Sequence, residues 1–569
     1  MKKIIITLLI ACLLLSTIPL SIAGKEMVGT ISSNIDGSLL YNSSCESSFL
    51  SEYVPGELII GFKNDVKVDL LSSTGKIKDT GILSIDNLNR KYDVKSAESL
   101  MKDESNSSLS NIYKLTLRDY NIDVLTVAKD YEANQYVEFV EPNYIGSYCD
   151  NLNSFEKSQS TQGVIANNQY FNKNLNNLLP NDPYFHLQWG LHNTGQTGGV
   201  PDVDIDAPEA WDLETGNGEV VIAVIDSGID YTHPDLAGNI WINNAEDINH
   251  NGRFDNWSCY QQKNGVYGDI DHTDNDGNGF IDDVVGWDFL GSDNDPRDYF
   301  GHGTHCAGIA AAVTNNDEGI AGVCWNCKIM PIRVCHYKLI PGFTAAEGVI
   351  YAANNGADII SISLGWTRTI YVLNYAINYA YDKGAVIVAA AGNGGNHGVP
   401  ILTFPGRHDK VISVGAINHY GERYYLSSWG PSLDIVAPGE NIFSTLPNYH
   451  VLFNDFGLNQ SYDNLSGTSM ACPHVAGVAA LILSHNSTLK NYEVRDILQS
   501  TATDLGTEGK DWYFGYGLVN AYSAVQKSDN YTNLNNFYYG VESNQIINSY
   551  QFICSSPYSQ EVTQKLDNR

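Results

Sequence analysis

Three short stretches of this 569-residue chain carry side chains whose types and surroundings suit covalent chemistry. Ser469 lies in Gly467-Thr468-Ser469-Met470-Ala471-Cys472-Pro473-His474-Val475-Ala476-Gly477, where a glycine turn opens an Ala/Val/Gly-rich helix. A hydroxyl placed there faces unpaired backbone N–H groups, which favour an anion. Asp226 ends Val221-Ile222-Ala223-Val224-Ile225-Asp226, whose continuous apolar run predicts a buried strand. His302, in Gly301-His302-Gly303-Thr304-His305-Cys306, puts an imidazole at another helix start. A serine hydroxyl is a poor nucleophile at neutral pH. It needs a base in reach, and the base needs its tautomer fixed. Ser469 as nucleophile, His302 as general base and Asp226 as orienting acid supply that set. Each alone also reads as a turn residue or a helix cap; the combination with these flanks is what points to chemistry.

These segments resemble the subtilisin-like serine proteases (subtilases), in the chain order Asp, His, Ser. The resemblance covers most of residues 180–526. It implies a serine endopeptidase that hydrolyses peptide bonds through an acyl-enzyme. The implied fold is α/β, a doubly wound parallel sheet with helices on both faces. The residues agree: apolar runs at 220–225, 329–334, 358–364, 385–390 and 410–414 alternate with helical segments such as 344–355. Asn393 follows one such strand and a glycine turn, where its amide can donate to a developing oxyanion beside the Ser469 N–H. Ser363, Leu364 and Gly365 resemble the family's substrate-binding edge, to which an extended peptide adds a strand. Ala391 and Gly392 form the facing wall. Small uncharged residues on both walls imply a broad, mainly apolar preference. Trp366 either narrows a subsite or is a surface aromatic.

Oxygen-bearing side chains recur around tight turns. Asp247, Asn249, Asn251 and Asp255 surround Gly252, and Asp274, Asp276, Asn278 and Asp282 repeat the spacing around Gly277. All-oxygen ligand sets on such turns suit structural Ca²⁺, although neither loop has the closing Glu of an EF-hand. The plainer reading is a pair of solvated Asx-Gly turns. Resemblance to calcium-binding subtilases of the thermitase kind implies a further site. It would take the Asp182 and Asp235 carboxylates, the Asn316 side-chain oxygen and the carbonyls of Val313, Glu318 and Ile320. A third cluster, Asp288, Asp293 and Asp295, departs from the family pattern at Gly291 and Arg297.

Residues 1–23 read as a signal peptide, with Lys2 and Lys3 before a short apolar run and Ser21-Ile22-Ala23 as a small-residue cleavage site. Residues 24–50 are Ser/Asn-rich and read as disordered. Residues 51–146 pattern as a mixed α/β unit, with strands at 54–62, 112–118 and 137–144 and a helical stripe at 124–131. Its Val-Pro-Gly-Glu start and Glu-Pro-Asn-Tyr end resemble the subtilase propeptide, a small α+β (ferredoxin-like) inhibitor and folding aid. The linker 147–180 is Asn/Gln/Ser-rich and suited to maturation cleavage. The catalytic domain takes 181–526, and the tail 527–569 has no readable role.

Formal charge is −32, from 65 acidic and 33 basic residues, which disfavours nucleic acid as a partner. No stretch after the signal reaches the roughly 18 apolar residues of a membrane span. Nine cysteines remain once Cys12 leaves with the signal. Cys306 and Cys472 read as buried thiols, and Cys324 with Cys327 as a local disulfide, unless Cys259 or Cys335 takes one of them. The expectation is a secreted, calcium-stabilised zymogen, monomeric, acting on polypeptides. A kexin-like processing protease is the rival within the class, and a non-catalytic scaffold the rival outside it.

Overall fold

The structure is a computed structural model that describes residues 52–66, 68, 70, 77–101, 109–148, 178–337 and 339–539. The signal peptide, the 24–50 segment, most of the 147–180 linker and the end of the tail lie outside the described residues.

The first domain runs β1 (Tyr53–Phe62), a helix Leu83–Lys91, β2 (Val94–Ser99), β3 (Ile112–Leu117), a helix Val124–Glu132 and β4 (Val137–Tyr144). Sheet order is β2-β3-β1-β4, with every neighbouring pair antiparallel. This is the ferredoxin-like βαββαβ arrangement. Leu58, Ile60 and Phe62 alternate along β1 and pack with Leu115, Leu117, Val127 and Tyr131 in one core. The helix Leu83–Lys91 has no apolar stripe to announce it, because Asp86 and Asn89 occupy buried positions. Both are hydrogen-bonded instead: Asp86 Oδ1 accepts from the Thr80 N–H (2.7 Å), and Asn89 Oδ1 from the Tyr131 hydroxyl (2.7 Å).

The remaining strands are β5 (Ser147–Tyr148), β6 (Val221–Asp226), the hairpin β7 (Gln262–Lys263) and β8 (Val266–Tyr267), β9 (Trp287–Asp288) and β10 (Lys328–Arg333). There follow β11 (Ile359–Ile362), β12 (Leu364–Gly365), β13 (Val386–Ala390), β14 (Ile412–Ile417), β15 (Ile435–Pro438) and the hairpin β16 (Ile442–Thr445) and β17 (Tyr462–Leu465). Seven of them form the central sheet in the order β15-β14-β13-β11-β6-β10-β9, all neighbours parallel. Every residue of β6, β11, β13, β14 and β15 is buried, so both faces of the sheet are covered. Helices His302–Ala311 and Thr468–His485 pack together, as do Gly342–Asn354 and Tyr371–Asp382. The chain leaves β6 for β10 on one side and then crosses to β11 on the other. The carboxyl end of β6 is therefore a topological switch point, where open α/β sheets place their ligands. The last helix, Ala521–Tyr539, runs through residue 526 into the segment read as a tail. Among the described residues no helix is long and apolar enough to cross a membrane.

Candidate active site

Asp226 is the last residue of β6 and is fully buried. Its Oδ1 takes the His302 Nδ1 at 2.7 Å and the Ser227 N–H at 2.7 Å. An ionised carboxylate only accepts, so Nδ1 carries the proton and Nε2 is the basic nitrogen. Close approach of the two elements depends on glycine. A Cβ on Gly303 would lie 2.1 Å from the Gly228 carbonyl oxygen and 3.0 Å from Asp226 Cβ. Gly301, which opens the helix at φ 113°, sits in the left-handed region that favours glycine. Asp298 ties this corner together, and sequence reasoning missed it. Fully buried, it accepts from the Ser227 hydroxyl (2.9 Å), the Phe300 and Gly301 N–H groups (2.9 and 2.8 Å) and the Thr304 N–H and hydroxyl (3.0 and 2.7 Å). Burial pushes its pKa up, against the pull of these donors.

Ser469 is the second residue of the helix Thr468–His485 and is buried. Its hydroxyl donates to the Ser363 carbonyl at 3.2 Å, and the Ser363 hydroxyl donates to the Ser469 carbonyl at 2.9 Å. Asn393 stands beside them. Its Oδ1 accepts from the Thr468 N–H (3.1 Å) and hydroxyl (3.3 Å), which fixes the amide so that Nδ2 points elsewhere. Among the described residues that Nδ2 is buried with no hydrogen-bond partner. A buried donor left unpaired costs about 1–3 kcal/mol, so it marks a place where something else supplies an acceptor.

Neighbouring groups that could compete for these roles are inert. Burial pushes the thiols of Cys306 and Cys472 up to about 11 and about 12, so neither is a thiolate at neutral pH. Burial lowers His305 to about 3 and His474 to about 4, which keeps both neutral. Cys324 and Cys327 form the local disulfide, while Cys259 and Cys335 have no disulfide partner among the described residues.

The groove edge is occupied by the chain itself. β5 pairs antiparallel with β12, Tyr148 opposite Leu364 and Ser147 opposite Gly365. The Gly146 N–H donates to the Ile340 carbonyl at 2.8 Å. Tyr148, two residues outside the 51–146 unit, gave no signal in the sequence, since a two-residue strand borrows its pairing from a distant edge. On the facing side Ala391 and Gly392 close β13, with the Gly392 N–H donating to the Thr468 hydroxyl at 3.1 Å. Trp366 is 2% exposed beneath the 144–146 segment, its indole donating to the Tyr144 carbonyl at 3.4 Å.

The candidate cation ligands fall into three groups. Asp182 and Asp235 come together with the loop 313–320: Asp182 accepts from the Asn315 N–H (2.8 Å), and Asp235 from the Asn316 side chain (3.1 Å) and the Ile320 N–H (2.8 Å). Val313 donates its N–H to the Asp235 carbonyl (2.7 Å), and Glu318 its N–H to Asn316 Oδ1 (2.8 Å). Burial pushes Asp235 up to about 7, against hydrogen bonds that lower it, and the Asp182 charge adds to the rise. In the second group, Asn249 and Asn251 both donate to Asp255 (3.0 and 2.6 Å), while Asp247 accepts the Gly252 N–H (2.8 Å). Asp269, fully buried and unforeseen, joins them by accepting the Asp255 N–H at 2.6 Å. In the third, Asp274 and Asp276 gather with Glu246, their carboxylate oxygens within 4.8 Å of one another. Asn278 donates to Asp276 (3.0 Å) and to Asp283 (2.9 Å). Asp282, expected in this group, faces away and accepts the Asp271 and His272 N–H groups (3.0 and 3.2 Å). The cause is local: Phe280 packs edge-on against Trp287, Phe289 and Tyr351, and Asp282 then takes φ 55°. Glu246 is fully buried, and its Oε2 has no hydrogen-bond partner among the described residues. Asp288 is tied up by Arg333, which removes it from the cation candidates.

Comparison with known proteins agrees with this geometry. Residues 217–517 match the subtilase family, peptidase S8. A thermophilic serine proteinase of Bacillus sp. (strain AK1) is 33% identical over 476 residues, spanning 83% of this chain and 88% of that protein. Thermitase of Thermoactinomyces vulgaris is 38% identical over 349 residues, 61% of this chain and 99% of thermitase. Among solved structures, fervidolysin from Fervidobacterium pennivorans, described as a keratinolytic enzyme related to subtilisin, superposes with a TM-score of 0.57 at 23% identity. That likeness covers 84% of this chain and 62% of fervidolysin, and shows the fold.

Proposed function

The chain belongs to the subtilase family and is a serine-type endopeptidase, and from that premise we propose that Asp226, His302 and Ser469 are its triad and Asn393 its oxyanion donor. The Ser469 hydroxyl leaves the Ser363 carbonyl for His302 Nε2. Its Oγ then attacks the scissile carbonyl as Nε2 takes the proton. Asp226 holds the imidazole by Nδ1 and stabilises its charged form. The oxyanion is met by Asn393 Nδ2 and the Ser469 N–H. The amine leaves with the proton, and water resolves the acyl-enzyme by the reverse path. The unpartnered Asn393 Nδ2 carries this reading over a scaffold. A buried donor held beside Ser469 fits the developing oxyanion of acyl transfer.

The same reading makes the chain a secreted zymogen, with 1–23 as signal peptide and 51–146 as propeptide. Support comes from the seam between the domains. Glu141 accepts the Tyr371 and Val372 N–H groups (3.1 and 2.9 Å) at the start of one helix, and Asn143 the Phe343 N–H (3.2 Å) at the start of another. Phe139 stacks on Tyr375 at 5.4 Å. The β5 strand in the groove then excludes other peptides. Calcium fits the chemistry of the all-oxygen clusters: the Asp182/Asp235 site, the 247–255 loop with Asp269, and the 274–278 turn with Glu246 in place of Asp282. When bound, the ions neutralise these carboxylates and fix the loops; they take no part in the chemical step.

Incubation of the purified precursor with casein, alongside its Ser469→Ala form and an EDTA-treated sample, tests the scheme. Casein cleavage that requires Ser469 and appears as the N-terminal domain is lost supports it. An equal casein digest from Ser469→Ala contradicts it.

A further inference from the structure

The strand lying in the groove reports what the groove accepts. Ile145 bridges Pro341, Gly146 bonds Ile340, and Ser147 and Tyr148 pair with Gly365 and Leu364. An extended peptide bound this way is read through alternate side chains. Two of its positions, Gly146 and Tyr148, meet shaped walls.

Gly146 has no room for a side chain. A Cβ there would lie 2.6 Å from Trp366 Cε2, 2.8 Å from Nε1 and 2.9 Å from the Gly365 carbonyl oxygen. The carbonyl belongs to β12 and is held by the strand pairing. Trp366 exchanges two backbone hydrogen bonds with Phe404 (2.8 and 2.9 Å), and its indole donates to the Tyr144 carbonyl at 3.4 Å. The exclusion is steric and not conformational, because the backbone at 146 lies outside the left-handed region.

Tyr148 fills a closed aromatic pocket. It is 6% exposed, with its ring centroid 4.7 Å from those of Phe300 and of His302. Its hydroxyl ends 3.3 Å from Cys335 Sγ, at the pocket floor. Phe300 is itself fully buried against Phe453, centroids 4.4 Å apart. A small side chain would leave this wall without contacts, and a floor bulkier than cysteine would meet the ring's far end.

We propose that the groove selects a glycine and an aromatic residue two places apart, with Trp366 and Cys335 as the specificity-determining residues. The chain's own Gly146-Ser147-Tyr148 would be its first substrate. The proposal rests on Ser469 as nucleophile and narrows the broad apolar preference to a short motif.

Quenched fluorescent peptides built on Gly-Ser-Tyr-Ala-Asp test this with the mature enzyme. Replacing Tyr by Ala should lower kcat/KM roughly 10- to 100-fold, with Phe close to Tyr. Replacing Gly by Ala should lower it about 10-fold. Trp366→Ala should erase the glycine preference and Cys335→Leu should compress the Tyr-to-Ala ratio. Each readout is a ratio within one enzyme sample, so a partly unfolded variant does not distort it, and the peptide series on the parent needs no variant. Flat ratios on an enzyme that digests casein overturn the inference and leave the protease intact. Failure to digest casein removes the protease reading and this inference with it.

Discussion

The proposed catalytic floor and the acidic segment 246–283, which lies between Asp226 and His302 in the chain, are built on opposite plans. On the floor, each functional side chain is fixed by other protein groups. Asp226 ends a central strand, His302 and Ser469 open helices, and Asp298 accepts five hydrogen bonds to lock the corner. In the acidic segment, regular structure is almost confined to the β7–β8 hairpin, and carboxylates are drawn together with few cationic side chains to answer them. Glu246 keeps a buried oxygen without a hydrogen-bond partner among the described residues, and burial pushes Asp283 up to about 7 and Asp269 up to about 6. A site made by the protein alone should survive loss of ions. A region assembled around negative charge should not.

The largest effect should come from the floor. Ser469→Ala should lower kcat on casein-derived peptides on the order of 10⁶-fold, the scale known for subtilisin's own nucleophile, while thermal unfolding changes little. Asn393→Ala should cost about 10²–10³ in kcat with KM nearly unchanged, because the donor acts on the transition state. Steady-state kinetics separate the two parameters, and a loss confined to KM would blur the contrast. On the other side, EDTA should lower the unfolding midpoint by about 10 °C, read by calorimetry, before it alters kcat at moderate temperature. Glu246→Gln should remove part of that calcium-dependent shift and one equivalent of bound calcium. Asp282→Asn should leave the stoichiometry as it was.

The smallest effect sharpens the contrast through pH. Asp283 and Asp269 have pKa values raised above the ordinary 3.8. A raised carboxyl contributes stability that is present at low pH and lost as pH climbs through its folded value. In EDTA the midpoint should therefore rise by a few degrees as pH falls from about 8 to about 5.5. Saturating calcium competes with those protons, so the same drop in pH should then give no such rise.

How far the sequence foretold the molecule follows the same division. The strands 221–226, 328–333 and 386–390 were legible because a buried parallel strand is a continuous apolar run; the residues of the proposed triad stand beside glycine turns. The helix Leu83–Lys91 was not, since its buried Asp86 and Asn89 pair across space. Neither were Glu246 and Asp283 as partners of Asp274 and Asp276, because spacing along a loop does not reveal which carboxylate a packed Phe280 turns inward. Tyr148 was hidden for a related reason: its environment is supplied wholly by Phe300, His302, Cys335 and β12, none of them near it in the chain.

The most direct test of the central claim is covalent. Mature enzyme treated with a fluorophosphonate and digested should show one adduct, on Ser469, and the adduct should disappear in His302→Ala although the protein remains folded. Labelling of a different serine, or undiminished labelling of Ser469 without His302, would contradict the assignment of Asp226, His302 and Ser469 as one catalytic unit.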